Sequence, residues 1–145
     1  MSSSDSANIR SFDDLVRTGL AQGTPQRLLL VLLRAEPEGD AQEPEKDVIH
    51  GHGALSPVMA TDIELTDQVR LDVLAEEADS LGHPWDLLLV SSLSGKGGRL
   101  ATSEEAAPYL QEMAEAVMRG RDLSRYAVFD RSGSPVVLQI EERPQ

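Results

Sequence analysis

Two stretches of this chain are apolar without alternation: RLLLVLLRA, Arg27 to Ala35, and DLLLV, Asp86 to Val90. A strand covered on both faces reads this way, because neither side of it meets water. Both are therefore expected in the middle of a sheet. Leu55 to Ala60 reads as a weaker strand, and Pro57, which lacks an amide hydrogen, confines it to an edge or to its first residues. Near the C-terminal end, RYAVFD, RSGS and PVVLQI read as strand, turn and strand. Val136, Leu138 and Ile140 alternate there with Val137 and Gln139, the pattern of a β-hairpin.

Three helices fill the intervals. Ser11 caps the first, with Asp14 in its first turn and an apolar stripe of Phe12, Leu15, Val16 and Leu20; Gly23 and Pro25 end it. Thr66 is expected to cap the second, which runs to about Leu81 with Leu71, Leu74, Ala75, Ala78 and Leu81 as its buried stripe, and Gly82 stops it. The third carries a T-x-x-E capping box at Thr102 and Glu105. Its stripe is Ala106, Leu110, Met113, Ala114 and Val117. Pro108 either bends this helix or opens its regular part.

The expected architecture is a single α/β domain with a mixed sheet. Its two central strands run parallel, joined by a helical crossover, and a C-terminal antiparallel hairpin lies at one side. The outline is similar to the thioredoxin fold in topology alone. The paired cysteines are absent, and no proline precedes Tyr126. The domain is expected over residues 11–140, between a disordered tail at 1–10 and a short tail at 141–145. An acidic solvent-exposed loop is expected at 36–47.

Composition narrows the chemistry. With 145 residues the chain is long enough to bury a core without staples, and with no cysteine it has neither disulfides nor thiol chemistry. The formal charge is −12, which argues against nucleic acid, since backbone binding requires a basic face. Much of the excess is local: Glu36 to Asp47 holds six acidic residues against one lysine. From Ser94 to Arg131 six acidic residues balance six basic ones. MSSSDSANIR is polar, and the longest apolar run, Leu28 to Leu33, is far short of a membrane span. A soluble cytoplasmic protein, with no membrane partner, is the expectation.

One segment has the parts of an anion site. Ser91, Ser92, Ser94, Gly95, Lys96, Gly97, Gly98 and Arg99 follow an apolar strand and lead to Thr102 at a helix start. Glycines let backbone amides turn inward, serines donate, and two cations and the positive helix end add charge. The candidate anion-binding residues are Ser92, Ser94, Gly95, Lys96, Gly97, Gly98, Arg99 and Thr102. The segment lacks Walker spacing, since Gly97 follows Lys96, and it lacks GxGxxG. The plain alternative is a solvated connector.

Other candidates are weaker. His50 and His52 in HGHG suggest a metal, but three or four ligands at defined spacing are missing and His83 is distant. The acidic run lacks the calcium-loop pattern. Arg119 and Arg121 complement a helix C-terminus, and Trp85 is expected to be buried. No nucleophile–base arrangement stands out, and no GxSxG elbow surrounds the serines. No catalytic residue, cofactor or metal is assigned.

From Ser11 to Ile140 the chain resembles a family of short proteobacterial proteins of unknown function. SFDDL, QRLLLVLL, ALSPVMATD, WDLLLVSSLSGKGGRLATSEEA and FDRSGSPVVL carry the resemblance. Members are often labelled ribonucleotide reductase subunit alpha, an activity that a cysteine-free chain of this size does not support. The leading expectation is a non-catalytic binding or accessory module with a protein partner. The alternatives are a binder of a small phosphate- or carboxylate-bearing ligand through residues 91–99, an enzyme included, and a thioredoxin-like domain kept for contact after losing its thiols.

Overall fold

The computed structural model describes residues 9–36 and 54–138. Its elements are α1 (Phe12–Ala21), β1 (Gln26–Glu36), β2 (Ala54–Glu64), α2 (Leu71–Ser80), β3 (Leu87–Ser94), α3 (Ser103–Met118) and β4 (Ala127–Asp130). The strands form one open sheet in the order β2-β1-β3-β4, and every neighbouring pair is antiparallel. The domain is α/β, as expected. Its sheet is not the one expected.

The apolar strands β1 and β3 are indeed adjacent and central, but they run in opposite directions, with Val31 across from Leu89 and Leu33 across from Leu87. Burial on both faces marks a central strand; it carries no information on direction. A parallel pair would require the intervening helix to join β1 to β3. In fact α2 joins β2 to β3, which flank β1 and therefore run the same way. The thioredoxin outline, which needs adjacent parallel strands, falls with the same observation.

β2 is longer than expected. It spans eleven residues rather than six, and stands at the sheet edge as Pro57 requires. Leu32 pairs with Met59 and Leu33 with Pro57, so Val58 is the extra residue of a bulge beside the proline. β3 likewise continues through Ser91, Ser92 and Ser94, which are strand residues rather than loop. Of the C-terminal hairpin, the described residues show the first rungs. Phe129 bridges to Pro135, Asp130 donates to the Ser134 carbonyl at 2.9 Å, and Val136 to that of Val128 at 2.9 Å.

Strand alternation divides the core in two. Leu28, Leu30 and Leu32 with Leu88, Val90 and Phe129 meet Phe12 and Val16 of α1 and Ala78 of α2 on one face. Leu29, Val31, Leu33, Leu87, Leu89 and Val128 meet Ala106, Met113, Ala116 and Val117 of α3 on the other. The result is a three-layer sandwich, which explains why β1 and β3 have no polar face. Among the described residues no helix is long and apolar enough to cross a membrane.

The helix starts follow the capping pattern at two of three positions. Ser11 accepts from the Asp14 amide at 3.1 Å, and Thr102 and Glu105 form the reciprocal box. Thr66 instead caps only a turn, accepting from the Gln68 amide at 3.1 Å, and α2 begins five residues later, leaving Leu81 exposed. Pro108 lies inside a continuous α3. Gly133, at φ +89°, closes the β4 turn, and its carbonyl accepts the Phe12 amide at 3.0 Å, docking that turn on α1.

Leu89 is fully buried between Val31 and Val128, so truncating it leaves a cavity that both flanking strands must span. Leu89→Ala is expected to cost about 2–5 kcal/mol, read as a lowered urea midpoint; a loss below about 1 kcal/mol contradicts this packing.

Candidate functional site

The candidate anion segment begins where β3 leaves the sheet. The Gly95 amide donates to the Pro25 carbonyl at 3.1 Å, which prolongs the pairing of β3 with β1 by one residue. Lys96 and Arg99 then bridge across a two-residue turn, closed by the Arg99 amide on the Lys96 carbonyl at 3.0 Å. Gly97 and Gly98 hold φ of +61° and +78°, the pair of left-handed conformations that a type I′ hairpin demands. A Cβ on Gly95 would lie 1.6 Å from the Arg99 carbonyl oxygen. The glycines thus have a structural duty: they build a tight hairpin.

That hairpin brings two expected residues together. Lys96 and Arg99 are a cross-strand pair, with Cβ atoms about 5 Å apart on one face. Both are exposed, and neither has an ion pair or side-chain hydrogen bond among the described residues. Like charges placed directly opposite repel.

The helix end expected to assist is already engaged. The Thr102 oxygen accepts the Glu105 amide at 3.0 Å, and the Glu105 carboxylate accepts the Thr102 amide at 3.0 Å. Ser103 donates to Asp62 Oδ1 at 2.7 Å, and Arg27 reaches the same oxygen at 2.8 Å while its Nε donates to the Ala101 carbonyl at 2.7 Å. Two carboxylates therefore occupy the positive end of α3. Arg27 and Asp62, whose side chains are only 15% and 14% exposed, tie β1, β2 and the start of α3 into one polar node. Because β1 and β3 are antiparallel, the amino end of β1 lies beside the carboxyl end of β3 at this point. Ser92 and Ser94 stand exposed on β3, ahead of the hairpin.

The remaining candidates divide simply. His50, His52 and most of the acidic run lie outside the described residues. His83 is exposed between α2 and β3, and no group of three His, Asp or Glu side chains able to hold a metal occurs among the described residues. Arg119 is the C-cap of α3, and Arg121 is exposed just beyond. Trp85 is buried, at 3% exposure, as expected.

Sequence reasoning missed a second polar node around that tryptophan. Its Nε1 donates to Asp79 at 3.2 Å, and Arg131 lies 4.3 Å from the ring centroid and donates to Asp79 Oδ2 at 2.7 Å. The Arg131 hydrogen bond, aided by Trp85, holds the Asp79 carboxyl below its ordinary range. At Asp130, burial pushes the carboxyl up, but the Ser132 hydroxyl and the amides of Ser134, Ser132 and Gly133 outweigh it and lower it on balance. Only the D-x-S-x-S spacing hinted at this. Arg131 and Asp79 are 52 positions apart and carried no signal at all.

No protein-family model, curated protein or solved structure matches this chain. The resemblance described above rests on the quoted stretches alone.

Two outcomes follow. Gly95→Ala forces the hairpin off the sheet end and is expected to lower Tm by several degrees; an unchanged Tm would show that the close approach is absent. Because the folded Asp130 pKa lies below its unfolded value of 3.8, its contribution is complete above about pH 5 and lost as pH falls through the folded value. Urea unfolding of Asp130→Asn between about pH 6 and pH 2 should show a shallower acid dependence than the parent chain. Identical slopes would remove Asp130 from the acid response.

Proposed function

We propose that this chain is a non-catalytic binding module that engages an anionic surface of a partner through the Lys96–Arg99 hairpin. The observation that carries this reading is the unpaired cation pair. A chain of net charge −12 holds Lys96 and Arg99 side by side without a carboxylate partner among the described residues. Meanwhile Arg27, Arg70 and Arg131 each have one. An incoming anionic group relieves the repulsion between the two cations, so the complex gains more than a single exposed ion pair returns.

The shape of the element favours a partner over a small metabolite. A two-residue hairpin projects its side chains from the sheet end, whereas a phosphate cradle turns several amides inward around one oxygen cluster. The helix N-terminus behind it is already met by Glu105 and Asp62.

The test is a short fluorescent peptide alternating Glu and Val, titrated by anisotropy at about 0.1 M salt. The Lys96→Ala, Arg99→Ala double variant should bind it at least about tenfold more weakly, with Tm unchanged or slightly raised because a like-charge pair is gone. Equal affinity of variant and parent overturns the proposal. A thermal shift with inorganic phosphate or ADP, lost in the variant, would replace a macromolecular partner by a small anion.

A further inference from the structure

β3 is longer than the strand that covers it. β4 pairs with Leu87 to Val90 and goes no further, since Ala127 lies opposite Val90 and the chain before it turns away through the Tyr126 amide bond to the Leu123 carbonyl. On its other side β3 pairs with β1 all the way to Ser94. Residues 91–94 thus pair with β1 on one edge and, among the described residues, with no strand on the other, where the Arg99 amide bond to the Lys96 carbonyl sets the return arm of the hairpin just beyond Ser94.

The ladder determines which backbone groups face that edge. The Val128 carbonyl accepts the Val136 amide and the Asp130 amide donates to Ser134, so both residues turn their backbone groups away from β3. Phe129 and Ala127 are therefore the ones that bond β3, through Leu88 and Val90. Carrying the alternation along β3, Ser91 and Leu93 bond to β1, while Ser92 and Ser94 turn N–H and C=O outward. Two independent bonds agree with this parity. Gly95, in step with Ser91 and Leu93, donates to Pro25 on the β1 side, and Gln26 turns its carbonyl to the Leu65 amide on the β2 side.

A groove of about 520 Å³ lies between α1 and the sheet and reaches this edge at Val90, Ser91 and Ser92. Ile9, Leu15, Leu65 and Val90 supply apolar wall, Ser92 lies in it, and Arg125 is its one charged lining residue; no carboxylate lines it. Arg125 rests 5.6 Å from the Tyr126 ring centroid and has no ion pair among the described residues. Beyond the other end of the edge Lys96 follows Ser94 by two residues, about 7 Å along a strand. The edge is thus bracketed by cations that have no ion pair among the described residues and is bordered by apolar surface.

We infer that this edge takes an added strand: an extended peptide from a partner, carrying carboxylates, that pairs its backbone with Ser92 and Ser94. Its apolar side chains enter the groove beside Ile9 and Leu15, and its carboxylates meet Arg125 and Lys96. Main-chain hydrogen bonds supply affinity in such an addition, and alternate side chains supply selectivity. Serines suit the position, because their small side chains leave the edge open and an unpaired apolar edge would invite indiscriminate pairing. This inference rests on the binding reading above and names the partner class.

The Glu–Val peptide is the probe, with a Lys–Val peptide and a Glu–Val peptide N-methylated on alternate residues as controls. In the free protein, amide exchange is expected to be fast at Ser92 and Ser94 and slow at Ser91 and Leu93. On adding the Glu–Val peptide, Ser92 and Ser94 should become protected. The Lys–Val peptide should not bind, and N-methylation should cost at least tenfold in affinity. Ser92→Pro, which removes the outward N–H, and Arg125→Glu should each weaken binding at least tenfold with an unchanged Tm; the N-methylated peptide makes the same test on the unmodified protein if Ser92→Pro folds poorly. Slow exchange at Ser92 in the free protein overturns the inference. Binding weakened by the Lys96, Arg99 double variant yet indifferent to N-methylation overturns strand addition and leaves the cationic reading standing. Binding lost on N-methylation but indifferent to the double variant does the reverse. No protection and no binding at millimolar peptide overturns both.

Discussion

The whole arrangement depends on β1 being buried on both faces. Its alternate residues feed two separate cores, Leu28, Leu30 and Leu32 toward α1 and α2 and Leu29, Val31 and Leu33 toward α3. A strand with no polar face has to lie between other strands and beneath helices on both sides. β2 and β3 therefore flank it, α2 has to pass over it to join them, and α3 has to close the opposite face. Each polar cluster then sits at the perimeter of this slab. Arg27 and Asp62 fasten α3 to the β1–β2 pair, while Arg131, Asp79 and Trp85 fasten the β4 turn to the end of α2. Among the described residues no buried side-chain polar atom lacks a partner. Gln26, the one buried polar side chain among the described residues, donates to the Gly19 carbonyl and to the Gln22 side chain at the α1 end.

Against that background the hairpin after β3 stands apart. The polar nodes join distant segments and hold the slab together, whereas Lys96 and Arg99 join nothing in the described chain. The glycines around them are explained by geometry, since two left-handed residues and one close backbone approach require them. The cations are not explained by geometry. The extension of β3 past β4 lies next to them.

Much of the local structure was legible. The apolar runs placed the two central strands, the S-x-x-D and T-x-x-E patterns placed two helix starts, and Pro57 left β2 an edge or a late-starting strand, of which the structure has the edge. Errors arose where a local signal has two tertiary meanings. Thr66 satisfies capping preference equally well in a turn, and it was the burial of Ala78 against β1 and β3 that positioned α2. The serines after Val90 look like loop residues, yet pairing with Leu29, Leu28 and Gln26 keeps them in the strand.

What the chain determined by itself is therefore periodic or steric: which segments are strands or helices, which strands are covered twice, and where glycine is needed for a turn. These follow from side chains and backbone within a few residues of each other. Strand direction, the partner joined by each crossover, the pairing of Arg131 with Asp79 and the extension of β3 past the end of β4 were settled only by tertiary structure. A buried apolar strand gains the same burial in either direction, so only the competition among complete packings chooses between them.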